Sequence, residues 1–371
     1  MEVLPNLRPI RTLIFACATL AFAGAALIPA PLTAQRRGEA LPAPGPQWPV
    51  KTREHVDLWF HVFALIQDDT AKVPFFERGY RERITILKNS RGLYTKFDEQ
   101  RNALASDPAA ARHVLNAQFL PLNFGTWPEM KQAFDYFFRA EGNPRKANNR
   151  EVQQIVTFLA QQFPRAEDRA WARQLIDATQ AEYDEFYKAY WLEQFRVREP
   201  ALARADSLWQ GAWRPALQRF LNYTQQTSGD LILAITLGGE GRAITAGNRL
   251  NQFAVAFPAT ADSAEVMLFA FVHEAAGSIA RVAVRDHLTP AQQRSGIGAQ
   301  YESSGLVRGG ALLAEQVEAG AGARYARWYL AQTGKMVAEG EALAALTEAF
   351  PMPDLMVDEL KRQIALSFQG I

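Results

Sequence analysis

Asp230-Leu-Ile-Leu-Ala-Ile-Thr-Leu237 is short and apolar with β-branched residues, which is the composition of a strand. Gly238-Gly239-Glu240-Gly241 follows as turn chemistry, and Arg242-Ala-Ile-Thr245 can return as a short edge strand. Ala246-Gly247-Asn248 then turns the chain into Leu250-Asn-Gln-Phe-Ala-Val-Ala-Phe257, which Pro258 ends. This segment predicts a meander of about three strands, a small antiparallel sheet.

Working outward from it, the chain reads as helix on both sides. Downstream, Thr260, Asp262 or Ser263 caps a long helix running to about Arg285, and further helices are expected at about 297–319, 322–332, 336–348 and 353–367. Upstream, a period of about 3.6 residues recurs over 55–66, 77–89, 93–105, 108–117, 128–140, 149–163, 166–194 and 199–226. Breaks fall at Gly125, Gly142-Asn143-Pro144 and Pro164. The expected fold is therefore α+β and mainly α, with a helical region over 51–227 and an α+β region over 228–371. Aromatic residues are dense from Phe124 to Tyr223, where core packing between helices outweighs an aromatic ligand groove.

The N-terminus reads as an export signal. Arg8 and Arg11 precede an apolar run from Thr12 to about Leu27, which is too short and too flanked by proline for a permanent anchor. Ala34 offers a small residue for cleavage, so residues 1–34 are expected to be removed, leaving a periplasmic or extracellular protein with no transmembrane anchor. Cys17, the chain's one cysteine, lies too early in the apolar run for lipid attachment, and bulky Phe15 stands two positions before it. Residues 35–50 hold four prolines and read as an extended, mobile lead-in.

Cleavage of 34 of the 371 residues leaves 337, long enough for a sizeable core without disulfides. Of 40 basic residues Arg8 and Arg11 are lost, and of 39 acidic residues Glu2, so 38 of each remain and the net charge is zero. Nucleic acid and anionic membrane surfaces have no electrostatic attraction to such a chain. No GxSxG nucleophile elbow and no GxxxxGK[ST] phosphate loop occurs. Asp68-Asp69 reads as a helix end followed by Thr70, His61 as a satisfied core histidine, and Glu182, Asp184 and Glu185 as a solvated face.

The long capped helix carries Phe269-Ala-Phe-Val-His273-Glu274-Ala275-Ala276-Gly277. In the motif HExxH, two histidines four residues apart on one helix face meet one zinc ion, and the glutamate between them activates the metal-bound water. Residues 230–330 resemble the HExxH zincin superfamily in its gluzincin-like form among secreted bacterial proteins. The match lies in the order of elements: a strand, a glycine-rich edge segment, a strand ending at Pro258, the His-Glu helix, then Tyr301-Glu-Ser-Ser-Gly-Leu-Val-Arg308-Gly-Gly-Ala311.

The resemblance implies a zincin-like fold for 228–371, with His273 at the first ligand position and Glu274 as the general base. It puts the second ligand position on Gly277 and the third on Ser304, one turn before Arg308. Glycine cannot bind a metal, and a serine hydroxyl is a poor zinc ligand. His287, Glu302 and Glu315 are the candidates for rebuilding the shell. Glu302 lies about 200° round the helix from Ser304, and Glu315 is about 16 Å along it. Alternatively, Ala275, Ala276, Gly277, Ser278 and Ala280 form one small-residue run, and Gly305, Gly309, Gly310 and Ala311 another. Helices bearing such faces pack closely, and His273 is then a buried histidine paired with a carboxylate or carbonyl.

The expected function is that of a non-catalytic, zincin-like protein with no cofactor, binding a protein or peptide partner or serving as a structural component. One alternative is an active zinc hydrolase using His273 and Glu274, and another is a helical protein with a ligand pocket within 124–223.

Overall fold

The computed structural model describes residues 48–67, 75–113, 116–246 and 250–369. The chain enters as strand β1 (Val50–Thr52) and continues into helices α1 (Glu54–Ile66), α2 (Tyr80–Ser90), α3 (Lys96–Ser106) and α4 (Pro108–His113). After a 3-10 segment, Asn116–Asn123, come α5 (Trp127–Arg139), α6 (Arg150–Gln162) and α7 (Ala166–Glu182). Helix α7 runs through a π turn, Tyr183–Tyr187, into α8 (Lys188–Leu208). A second π turn, Trp209–Trp213, leads to α9 (Arg214–Tyr223). Strands β2 (Gly229–Ala234), β3 (Arg242–Ala246) and β4 (Leu250–Ala256) follow. The remainder is helical: α10 (Glu265–Ala275), α11 (Gly277–Arg285), α12 (Pro290–Ser295), α13 (Gly298–Val317), α14 (Ala321–Gln332), α15 (Ala342–Ala349) and α16 (Asp354–Gln369). The fold is α+β and mainly α, as the helical periodicity predicts.

The sheet differs from the expected antiparallel meander. It has four strands in the order β1-β2-β4-β3 and is mixed: β1 and β4 both run parallel to β2, and only β3 pairs antiparallel, with β4. The reason lies in the apolar run that opened the sequence. Leu231, Ile232, Leu233 and Ala234 are all buried, so β2 is covered on both faces and has parallel neighbours on each side. The β3–β4 hairpin is the part of the meander that forms.

The fourth strand comes from the end of the proline-rich lead-in. Trp48 is buried edge-on against Trp209, Phe253 and Phe271, and its carbonyl accepts hydrogen bonds from Trp209 Nε1 and Gln210 Nε2. Gly229 makes room for it, since a Cβ there would strike the Trp48 ring and the Asn251 carbonyl. One contiguous apolar core runs from Trp48 through both halves of the chain to Ile364. Helix α1, apolar on all sides, is buried along its length. Its Asp57 accepts from the Ile235 and Thr236 amides and the Thr236 hydroxyl, which fastens α1 to the turn after β2.

Helices α10 and α11 form the long capped helix the sequence predicts. The Thr260–Ser263 capping box opens it, and Ala276 joins the two parts with its amide on the Val272 carbonyl. By length and composition Ala261–Arg285 could cross a membrane, but 67% of its apolar window is buried inside the protein, as in a core helix.

Candidate functional site

His273 and Glu274 stand side by side near the end of α10, so their side chains leave the helix about 100° apart. His273 is completely buried, and its Nδ1 lies 2.8 Å from the Tyr325 hydroxyl of α14. The imidazole stacks on Tyr329 at 5.1 Å between ring centroids and 16° between planes. Burial holds its pKa below the usual histidine value, although the nearby carboxylates of Glu274 and Glu240 pull the other way. Its Nε2 has no hydrogen-bond partner and lies 4.0 Å from Glu274 Oε1.

Glu274 faces the sheet edge. Its Oε1 accepts the Gly241 amide at 2.9 Å. Glycine is required at 241, because a Cβ would sit 2.5 Å from the Ala254 carbonyl oxygen and 2.9 Å from Glu274 Cγ. The glycine-rich segment read as a turn therefore also brings a backbone donor onto the motif glutamate. Beside it, Glu240 Oε1 accepts from the Tyr329 hydroxyl at 3.1 Å. Arg242 donates from Nε to Gln118 Oε1 at 2.6 Å, and its guanidinium lies 3.7 Å from the Phe75 ring centroid.

The two degenerate positions are filled by packing. An ideal Cβ on Gly277 would lie 3.4 Å from Leu306 Cδ1, and one on Gly309 would lie 2.9 Å from Ala276 Cβ. Ser304 is buried on α13, the helix carrying the second small-residue run. Close approach of α11 to α13 is what these glycines allow. His273 is a buried histidine as the packing alternative anticipates, but its partner is a tyrosine hydroxyl, not a carboxylate or carbonyl.

The three candidates for rebuilding a metal shell are engaged elsewhere. His287 lies beyond α11, 4.0 Å from Glu359 of α16. Glu302 Oε1 lies 3.8 Å from Arg285 Nε. Glu315 accepts the amides of Gly320 and Gly322, capping the start of α14. Among the described residues no three His, Cys, Asp or Glu side chains gather at one point. One imidazole, one carboxylate already bound to an amide, a glycine and a serine do not make the three-ligand donor set that zinc takes.

A second buried polar cluster lies in the helical half, around Glu182. Glu182, expected on a solvated face, is fully buried at the end of α7. It lies three residues after Thr179 and seven after Leu175, both buried, so the helical period itself turns it inward. His61 Nε2 donates to its Oε1 at 3.0 Å, Lys88 Nζ reaches both oxygens at 2.9 Å, and the Thr95 hydroxyl bonds Oε2. Tyr80 completes the set, its hydroxyl 2.9 Å from His61 Nδ1. His61 is thus the satisfied core histidine expected, and Asp184 and Glu185 are exposed as expected. Asp68-Asp69 and the export segment lie outside the described residues.

Between α5 and the end of α7 lies an open cleft of about 660 Å³, lined by Trp127, Lys131, Gln132, Asp135, Gln180 and Tyr183, within the aromatic-rich stretch. Trp127 Nε1 and Lys131 Nζ both donate to Gln180 Oε1, so much of its polar lining is paired internally. Compared with family models, with curated proteins and with solved structures, the chain matches none.

Proposed function

We propose that this protein is an exported, non-catalytic relative of the zincin hydrolases that acts by binding a protein or peptide partner or as a scaffold. In this reading the former catalytic dyad has become a structural tie between the helical core and the sheet edge. One observation carries it: each dyad member is committed to a partner, His273 Nδ1 to the Tyr325 hydroxyl and Glu274 Oε1 to the Gly241 amide. A glutamate bound to a backbone amide and an imidazole enclosed by stacked tyrosines support a structural role for the pair. Descent from a zincin rests on the order of elements around the His-Glu helix, and export rests on Arg8, Arg11 and the apolar run after them.

Metal analysis of the purified protein tests the reading. The expected result is no bound zinc and a melting temperature unchanged by a chelator. Near-stoichiometric zinc that disappears in His273→Ala would overturn it. Sequencing the N-terminus of the secreted product tests export, with Gln35 expected as the first residue.

A further inference from the structure

The unpartnered Nε2 of His273 is the strongest anomaly around the dyad, because a buried polar atom without a partner loses its hydration and gains no hydrogen bond in return. Its meaning depends on which ring nitrogen carries the proton, and the surroundings decide that. The Tyr325 ring is completely buried and its pKa is raised by burial, so the hydroxyl keeps its hydrogen. That hydrogen needs an acceptor, and the hydroxyl lies 2.8 Å from His273 Nδ1. Were Nδ1 protonated instead, it would donate to the tyrosine oxygen. The hydroxyl hydrogen would then be stranded, and the Nε2 lone pair would face the carboxylate of Glu274 at 4.0 Å. With Nε2 protonated, the hydroxyl donates to Nδ1 and Nε2–H points towards an anion, which lies beyond hydrogen-bond distance at 4.0 Å but attracts the N–H where it would repel a lone pair.

The molecule contains a second instance of this arrangement. At His61 a tyrosine hydroxyl, Tyr80, faces Nδ1 at 2.9 Å, and a buried carboxylate, Glu182, faces Nε2 at 3.0 Å. There the Nε2–H···carboxylate hydrogen bond is fully formed.

We infer that Tyr325 and Glu274 together hold His273 as its Nε2–H tautomer, so the ring nitrogen facing the dyad is a hydrogen-bond donor with no lone pair for a metal ion. Tyr325 is the positioning residue in this arrangement, and Gly310 seats it: a Cβ at 310 would lie 2.6 Å from the Tyr325 hydroxyl oxygen. The inference deepens the non-catalytic reading and rests on it, since it names what removed the first ligand as well as the second and third.

The test is a long-range proton–nitrogen NMR correlation on the full mature chain labelled with 15N-histidine, with the His273 signals identified by their loss in His273→Gln. A protonated Nε2 and an unprotonated, hydrogen-bonded Nδ1 are expected, unchanged when Co²⁺ is added in excess. In Tyr325→Phe, Nδ1 should shift towards the position of a free lone-pair nitrogen while Nε2 stays protonated. A protonated Nδ1 in the unaltered protein overturns the inference whether or not any variant folds, as does loss of the His273 signals with Co²⁺. The two readings fail separately. Zinc-free protein with a protonated Nδ1 sinks the tautomer alone, whereas bound zinc that depends on His273 sinks the non-catalytic reading.

Discussion

An alanine at position 310 would put its Cβ 2.6 to 2.9 Å from the hydroxyl, Cζ and Cε2 of Tyr325, closer than real side chains sit. The buried ring cannot give way without leaving His273, so Gly310→Ala should destabilise the fold by about 1–3 kcal/mol in urea titrations. Gly277→Ala should behave in the opposite way. Its nearest neighbour is the mobile end of Leu306 at 3.4 Å, and alanine is the better helix former by about 0.5–1 kcal/mol. The same titration should therefore find Gly277→Ala neutral or stabilised by up to about 1 kcal/mol. A large loss there would mean that α11 and α13 are packed more tightly than Leu306 allows. Glu182 is a sharper case. Replacing it with Gln weakens the buried hydrogen bonds to Lys88, His61 and Thr95 while Lys88 keeps Asp98, 2.6 Å away, and should cost about 1.5–3 kcal/mol. Glu185→Gln, three residues on and exposed, should stay within about 0.5 kcal/mol of the unaltered protein. Residue spacing could have separated these two glutamates in advance, because burial follows the period of the helix. No spacing rule pairs His273 with Tyr325, which lies 52 residues away and is brought there by the α13–α14 connection.

At the level of elements, the helices were legible because each carries its own period and caps, and α10–α11 starts and ends where the Thr260 box and Arg285 indicate. The sheet was legible in part. The β3–β4 pairing joins strands that are neighbours in the chain, whereas the parallel pairing of β1 with β2 joins Val50 to Leu231 and has no local signal. Four prolines masked the last residues of the lead-in, although a tryptophan at its end is a reason to expect burial. That tryptophan gives the element-scale prediction. Trp48 touches Trp209, Phe253 and Phe271 and receives two hydrogen bonds on its carbonyl, so it anchors β1 against the π turn, β4 and α10 together. Trp48→Ala should cost about 3–5 kcal/mol, read as a lower urea midpoint in a single transition. A separate early transition, with the rest unchanged, would instead show that the lead-in docks onto a core complete without it.

Over the whole molecule, burial of ionisable groups sets how the protein responds to acid. Three histidines are pushed below their usual pKa by desolvation: His55 to about 4, and His61 and His273 in the same direction. The unfolded chain protonates these rings near pH 6.5, so it binds more protons than the folded one below that point. Their contribution to stability is complete above about pH 6.5 and is lost as the pH falls towards the folded values. Asp57 works against them. Burial raises it to about 6, so its contribution is present below about pH 3.9 and is lost as the pH rises through 6. Each group changes stability by about 1.4 kcal/mol per pH unit inside its own window, and three histidines outweigh one aspartate. Stability should therefore fall as the pH drops below about 6.5, with net proton uptake on unfolding. Urea titrations at half-unit pH intervals measure this directly. The slope should flatten in His55→Gln, which removes one of the three rings, and steepen in Asp57→Asn, which removes the opposing group. A flat profile in the unaltered protein would mean that the three rings reach water in the folded state.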